Sequence, residues 1–543
     1  MKTDRLCSAT RLSRQLPALL VACAALVLIG ATSHVTAHPD AAAIRARMRF
    51  LASDALEGRD TGTRGYDTAA AYVASQFEGL GLDPGGADGS WYQPVHLLHT
   101  RLKAGQASAS VNERALIQGR DLLMVPPPVA DLHIHGGIIL AGFGLDVADV
   151  GLHDFDGVDV RGKFVAVLAG APASLPSEER AYFSNLQGKM ETARAKGAIG
   201  LLLLRTPPQE AAWERYVRQN AVGAFYRVDG DRPPTDGQAL PMAFLNRSGS
   251  DAILAASGRS LNDVVEAAAT RPIVSDLGVE MAFDESIDVE RVSSPNILAR
   301  IAGADAALKN EVVVYTAHLD HLGMTAAEGG DSVNHGAIDN ASGVAEVIEI
   351  ARLWRDVRPR PARSALFAIV TGEERGLLGS AVLADDPPVP RSQIAANINL
   401  DNFLILYPLR DVVALGGDHS TLGRTVRAEA SRLGLEVIPD PRPEQSLFIR
   451  NDEFSFVLRG VPSVTIANGV RSADPSVDVP ELWTKWFATI YHTPKDTMAQ
   501  AFNWHAAEQY VSLNLGIGRR VASERARPTW NPGDFFGQRF TRR

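Results

Sequence analysis

From about residue 276 onward, short apolar runs alternate regularly with stretches of helical periodicity, and this alternation leaves the chain few folds. Val312–Ala317 is a β-branched run that reads as a buried strand. A helix over Ala341–Trp354 follows, with Val344, Val347, Ile348 and Ala351 on one face. Then come strands over Ala365–Thr371, Ala396–Leu400 and Val412–Leu415, a helix over Leu422–Leu433 and a strand over Ser463–Ala467. Repeated strand–helix units predict an α/β fold, with a mostly parallel central sheet flanked by helices. Ligands of such sheets bind beyond the carboxyl ends of the strands. The residues just after these runs are therefore where chemistry is expected.

The chain has 543 residues, too many for one compact domain. Between 38 and about 94 the pattern is mainly helical, with helices over Ala41–Ser53 and through Tyr66, Ala70, Val73, Ala74 and Phe77. The glycine-rich loop between them, E-G-R-D-T-G-T-R-G, is no phosphate cradle, because no strand precedes it and no Gly-Lys-Ser/Thr follows. Val95–Leu98 reads as a short strand. Residues 110–275 change character: Ile138–Leu140, Phe164–Leu168 and Ile199–Leu204 are short strands, with a helix over Gln187–Lys196 and acidic turns between. His133 and His135 alternate on one strand face and read as solvated. This segment is expected to be an inserted, smaller, β-rich α/β domain without catalytic residues. The expected division is 1–37 leader, 38–109 first part of the catalytic domain, 110–275 insert, 276–524 catalytic domain and 525–543 a loosely packed tail.

The leader is read from Lys2, Arg5, Arg11 and Arg14 ahead of the apolar Leu16–Ala31, with Val35-Thr36-Ala37 fitting small-residue cleavage before His38. The apolar run is short for a membrane span, so a retained anchor is the weaker reading. Leu20-Val21-Ala22-Cys23 resembles a lipoprotein box, but apolar residues continue past Cys23, which disfavours lipid attachment. The expected location is the periplasm or the medium, with no stable span once the leader is cleaved. Both cysteines, Cys7 and Cys23, lie in the leader. The mature chain would have no disulfide, no thiol nucleophile and no Cys-held zinc, so any metal would need His and carboxylate ligands. The net charge of −9, with no basic block, argues against a nucleic-acid partner.

Four stretches carry the candidate chemistry. In A-H-L-D-H-L-G, His318 and Asp320 are two residues apart, which on an extended chain puts both side chains on one face. His318 can face a metal with Asp320 behind its ring. In G-A-I-D-N-A-S-G, Asp339 sits in a turn that opens a helix, where a carboxylate can bridge two cations. T-G-E-E-R-G-L-L-G-S places Glu373 and Glu374 right after a strand; one can ligate metal while the other holds a water as general base. An acid-rich helix start would look the same. Asp401 ends the apolar run of N-I-N-L-D-N-F, where an unpaired carboxylate is costly, and His492 in Y-H-T-P-K-D-T supplies a second nitrogen. Together His318, Asp339, Glu374, Asp401 and His492 provide one His and one terminal carboxylate for each of two metals, with Asp339 shared. Such ligands suit zinc and accept cobalt or manganese.

These residues resemble the co-catalytic dizinc aminopeptidases of the bacterial leucyl aminopeptidase type, over most of the mature chain. The resemblance rests on the motifs above with L-A-S-D-A-L-E-G-R-D-T-G-T-R-G and F-I-R-N-D-E-F-S-F-V-L-R-G-V-P-S. The insert resembles a protease-associated domain. The resemblance implies a zinc-dependent exopeptidase fold and two zinc ions, one on His318 and Asp401, the other on Glu374 and His492, with Asp339 bridging. It makes Glu373 the general base on a metal-bridging water, gives Asp320 the task of orienting His318, places Tyr491 against the tetrahedral intermediate and puts a cis peptide after Asp339. Asn402 and Asn451 depart from the family's usual Met and Ser and bear on substrate preference.

The activity so implied is removal of N-terminal residues from peptides with a free α-amine. Three other readings stand beside it. One is a carboxypeptidase or dipeptidase on the same site, since Arg450 lies where a substrate carboxylate could bind. Another is a non-catalytic binding protein, which loss of a ligand or of Glu373 would mark; none is lost. The third is a glutaminyl cyclase, which shares the fold but typically holds a single zinc.

Overall fold

Buried β-branched sequence makes the centre of the molecule. The computed structural model describes residues 38–228, 240–401 and 403–541. The expected leader, both cysteines and Asn402 lie outside the described residues. Strand Val312–His318 is interior to a nine-stranded sheet. Ser364–Val370 and Ile394–Asn399 run parallel to it on either side, and Ser463–Asn468 runs parallel to Ile394–Asn399. All residues of Val312–His318 and Ser364–Val370 are buried, as expected for parallel strands covered on both faces. Asn296–Ile301 and Asp411–Leu415 pair antiparallel with this centre. Helix Gly343–Asp356 lays Val344, Val347, Ile348 and Ala351 against it. The helix starts two residues later than expected. Ala337–Ser342 forms a π-helical turn in which Asp339 and Asn340 leave helical backbone, and the peptide between them is cis.

A second nine-stranded sheet is built from strands between His96 and Ser293. Alternating residues of its inner strands enter different cores: Phe164, Ala166 and Leu168 pack on one face, Val165 and Val167 on the other. The strand expected over Val95–Leu98 runs instead from His96 to Val111 and pairs antiparallel with Val274–Ser293. Much of both strands is exposed, so neither carries an apolar run long enough to read. The expected boundaries at 109/110 and 275/276 fall inside these two strands. His133 is exposed and contacts Asp284 at 2.9 Å.

Glu285 interrupts the apolar filling of this sheet. It is 1% exposed, and neither carboxylate oxygen has a hydrogen-bond partner among the described residues. Burial pushes its carboxyl up to about 7 from 4.5. The folded chain therefore holds a proton that the unfolded chain releases, and this contribution to stability, whole below pH 4.5, is lost as pH rises through 7. About 3 kcal/mol is at stake. Glu285→Gln is expected to flatten that decline, read as thermal midpoints of both chains between pH 4.5 and 8.

The C-terminal segment is packed rather than loose. Helix Phe535–Phe540, capped by Asp534, buries Phe536 and Phe540 against Phe448 and Phe454. Asp534 contacts His419 Nδ1 at 2.6 Å, and the other ring nitrogen of His419 meets Glu178. Pro and Gly suggested a loose end, but aromatic residues at helical spacing decide the outcome. Phe536→Ala is expected to cost about 3–5 kcal/mol, measured by denaturant unfolding.

Candidate metal centre

Three strand ends and two loops converge on one buried cluster of acids and imidazoles. His318 is the last residue of its strand. Asp401 lies two residues beyond Ile394–Asn399, and Glu373 and Glu374 follow Ser364–Val370. Asp339 enters from the π-helical turn, and His492 from the loop after helix Val479–Thr489, with a left-handed backbone at φ 57°.

His318 Nε2 lies 3.0 Å from Asp401 and 3.2 Å from Asp339. His492 Nε2 lies 3.1 Å from the other Asp339 oxygen and 3.1 Å from Glu374. Asp339 thus faces one imidazole with each oxygen. Two ligands of one tetrahedral zinc ion stand roughly 3.3 Å apart, so both halves of this arrangement fit the ion. The electrostatics fit as well. Burial opposes charge on His318, yet Asp401 and Glu373 outweigh it and hold the imidazole well above its usual range. Burial likewise opposes charge on His492, but Glu374 and Asp339 raise it to about 9. Burial and Glu374 push the Asp339 carboxyl up, while hydrogen bonds from His318 and His492 win and hold it below the carboxylate range. The protonated imidazoles stand where cations are needed. Burial drives the Glu373 carboxyl well above its usual range.

The supports come from distant sequence. His318 Nδ1 donates to the backbone carbonyl of Asp320 at 3.0 Å, while the Asp320 carboxylate stands 3.9 Å from that nitrogen. That carboxylate instead accepts the backbone N–H groups of Glu373 and Glu374, each at 3.2 Å, and the Thr61 hydroxyl. Asp496 accepts the N–H groups of Ile338 and Asp339 and so fixes the turn of the shared carboxylate. The glycine-rich loop near residue 60 is a buttress: Arg59 donates to the carbonyls of Leu319, His335 and Gly336, and Asp60 pairs with Arg375 at 2.6 Å. Gly58, at φ 70°, lies so close to Asn334 and Gly323 that a Cβ would collide with backbone.

His321 is absent from the sequence-based set. It is fully buried, and its Nδ1 donates to Glu374 at 2.8 Å. Each Glu374 oxygen therefore meets a different imidazole, and His321, Asp339 and Glu374 form a second compact donor triad. The signal was its place in A-H-L-D-H-L-G, three residues after His318. Tyr491 stacks on His492 with ring centroids 3.7 Å apart, and its hydroxyl accepts a 3.0 Å hydrogen bond from Arg450. A cleft of about 2510 Å³ opens over the cluster, lined by Glu373, Asp401, Tyr491 and Arg450. Its lining also includes helix Trp213–Asn220, from which Gln219 donates to the His492 carbonyl at 3.2 Å and Arg215 to that of Phe487 at 2.8 Å.

Comparison with known proteins bears on the same residues. Residues 296–517 match the model of Peptidase family M28. The fold is similar to that of an aminopeptidase from Aneurinibacillus sp. strain AM-1, at 16% identity and TM-score 0.54, covering 93% of this chain and 99% of that one. A curated protein of Pyrenophora tritici-repentis, described as "Probable zinc metalloprotease", is 42% identical over 66 residues, 12% of this chain and 15% of its own length. The vacuolar membrane protease of Saccharomyces cerevisiae is 24% identical over 267 residues, 48% of this chain and 24% of that protein. The chain thus spans less than a quarter of the length of these two curated relatives. All five candidate ligands, with Glu373, fall inside the stretch that matches the Peptidase family M28 model.

Proposed function

We propose that the protein is a zinc-dependent exopeptidase that removes residues from the free N-terminus of peptides, using two zinc ions. The observation that carries this reading is the double pairing of Asp339, one oxygen toward His318 and the other toward His492. His318 and Asp401 would hold one ion, and His492 and Glu374 the other. When bound, the pair of ions supplies an activated water and charge stabilisation. Glu373 takes the proton of the attacking water and delivers it to the leaving amine. Its neutral-favouring pocket suits a group that must hold a proton between these two steps. Asp320 locks the backbone of Glu373 and Glu374. Tyr491, donating its hydroxyl proton toward the reacting carbonyl, stabilises the developing negative charge. The neighbouring acids would receive the α-ammonium group of the substrate. We place the sheet of residues 96–293 as a protease-associated-like segment forming one cleft wall, and residues 1–37 as an export leader. No helix among the described residues is long and apolar enough to cross a membrane.

The test is a release assay with N-terminally free and N-acetylated peptides, with and without chelator. Chelator-sensitive release from the free peptides alone is the expected result. Cleavage of acetylated peptides from the carboxyl end would replace this reading by a carboxypeptidase.

A further inference from the structure

Three of the arginines lining the cleft are neutralised by acids. Arg375 pairs with Asp60, Arg218 with Glu328 and Arg459 with Asp385. Arg450 differs. The residue is exposed at the cleft, and its guanidinium donates to the Tyr491 hydroxyl at 3.0 Å and to the Gln445 carbonyl at 3.5 Å. No Asp or Glu among the described residues forms an ion pair with it, and the acids whose charge reaches it are Glu373 and Glu374 of the metal centre. In a chain of net charge −9, an uncompensated cation beside the reaction centre is not a by-product of general basicity.

Its position is defined. Arg450 is linked to the cluster through its hydrogen bond to Tyr491, which in turn stacks on His492 with centroids 3.7 Å apart. An extended peptide covers roughly 3.5 Å per residue, so one or two residues beyond the cleaved bond bring a chain end into this neighbourhood. A guanidinium presents a planar fork that matches a carboxylate at two points. We propose that Arg450 binds the C-terminal carboxylate of the substrate, which makes dipeptides and tripeptides the preferred class. The proposal rests on the exopeptidase reading and extends it. The two ends of a short peptide zwitterion then meet opposite charges, the ammonium group at the acids and the carboxylate at Arg450.

The experiment compares kcat/KM for Leu-Gly and Leu-Gly-Gly with that for their C-terminal amides, using the zinc-loaded full chain, Arg450→Met and Arg450→Lys. Calorimetry of the same ligands on Glu373→Gln gives a reading independent of turnover. The expected result is a preference of about tenfold or more for the carboxylate in the native chain, falling to about one in Arg450→Met and partly kept in Arg450→Lys, with the same preference in calorimetry. Equal affinity and rate for acid and amide in the native chain would overturn the proposal. So would an equal loss on both forms in Arg450→Met, which would assign Arg450 to Tyr491 alone. Failure of every N-terminally free peptide to react would sink the exopeptidase reading, and the calorimetric preference would still decide the role of Arg450.

Discussion

Glu373→Gln is expected to lower turnover by about three orders of magnitude while leaving bound zinc unchanged. Glutamine has the shape of glutamate but cannot accept the proton of an attacking water, and positioned acid–base groups contribute about 10²–10⁴ in rate. The geometry separates this residue from its neighbour. Glu374 gives one oxygen to His492 and the other to His321, whereas the Glu373 side chain pairs with neither imidazole. Both backbones are fixed by the Asp320 carboxylate, so the substitution does not free the loop. Rates measured on a peptide with a free amine, beside zinc content by elemental analysis, check both halves. A variant that lost zinc along with activity would make Glu373 a ligand instead of a base.

Asp339→Asn is expected to cost at least as much in activity, by the opposite route. Asp339 faces His318 and His492 with different oxygens, so replacing one of them by an NH₂ group turns a donor toward a nitrogen or an ion and removes the shared negative charge. Even changes to outer partners of metal ligands cost about 10–100-fold in affinity, and this change strikes both half-sites together. Zinc retained after dialysis should fall from two ions per chain to at most one, with circular dichroism unchanged because Asp496 still holds the backbone of the turn. Zinc uptake by the native chain should release protons, since His318 and His492 are held charged by their acids until metal replaces the protons. Two full zinc sites in Asp339→Asn would remove the shared-ligand geometry.

The central strands and the residues after them were legible because burial on both faces leaves long β-branched runs, and because His318, Glu374 and Asp401 sit where those runs stop. The acid–imidazole cluster was readable from residue chemistry, since residues 38–543 contain no cysteine to hold zinc. His321 stayed hidden because its partner, Glu374, is distant in sequence, and its place three residues after His318 was a signal without that partner beside it. Asp320 was taken to orient His318 through its carboxylate; its backbone carbonyl does so, and the carboxylate turns to the Glu373–Glu374 loop. Sequence spacing gives the neighbour but not the atom. The long strands His96–Val111 and Val274–Ser293 escaped because they are half solvated and pair over a great separation. The packing of Phe536 depends on His419 and Tyr182, which no local pattern connects to the tail.

The most direct measurement titrates metal-free protein with zinc, following bound zinc and peptide turnover in the same samples. The account predicts two ions per chain, with full turnover reached only as the second is bound. Saturation of both binding and turnover at one ion would contradict it.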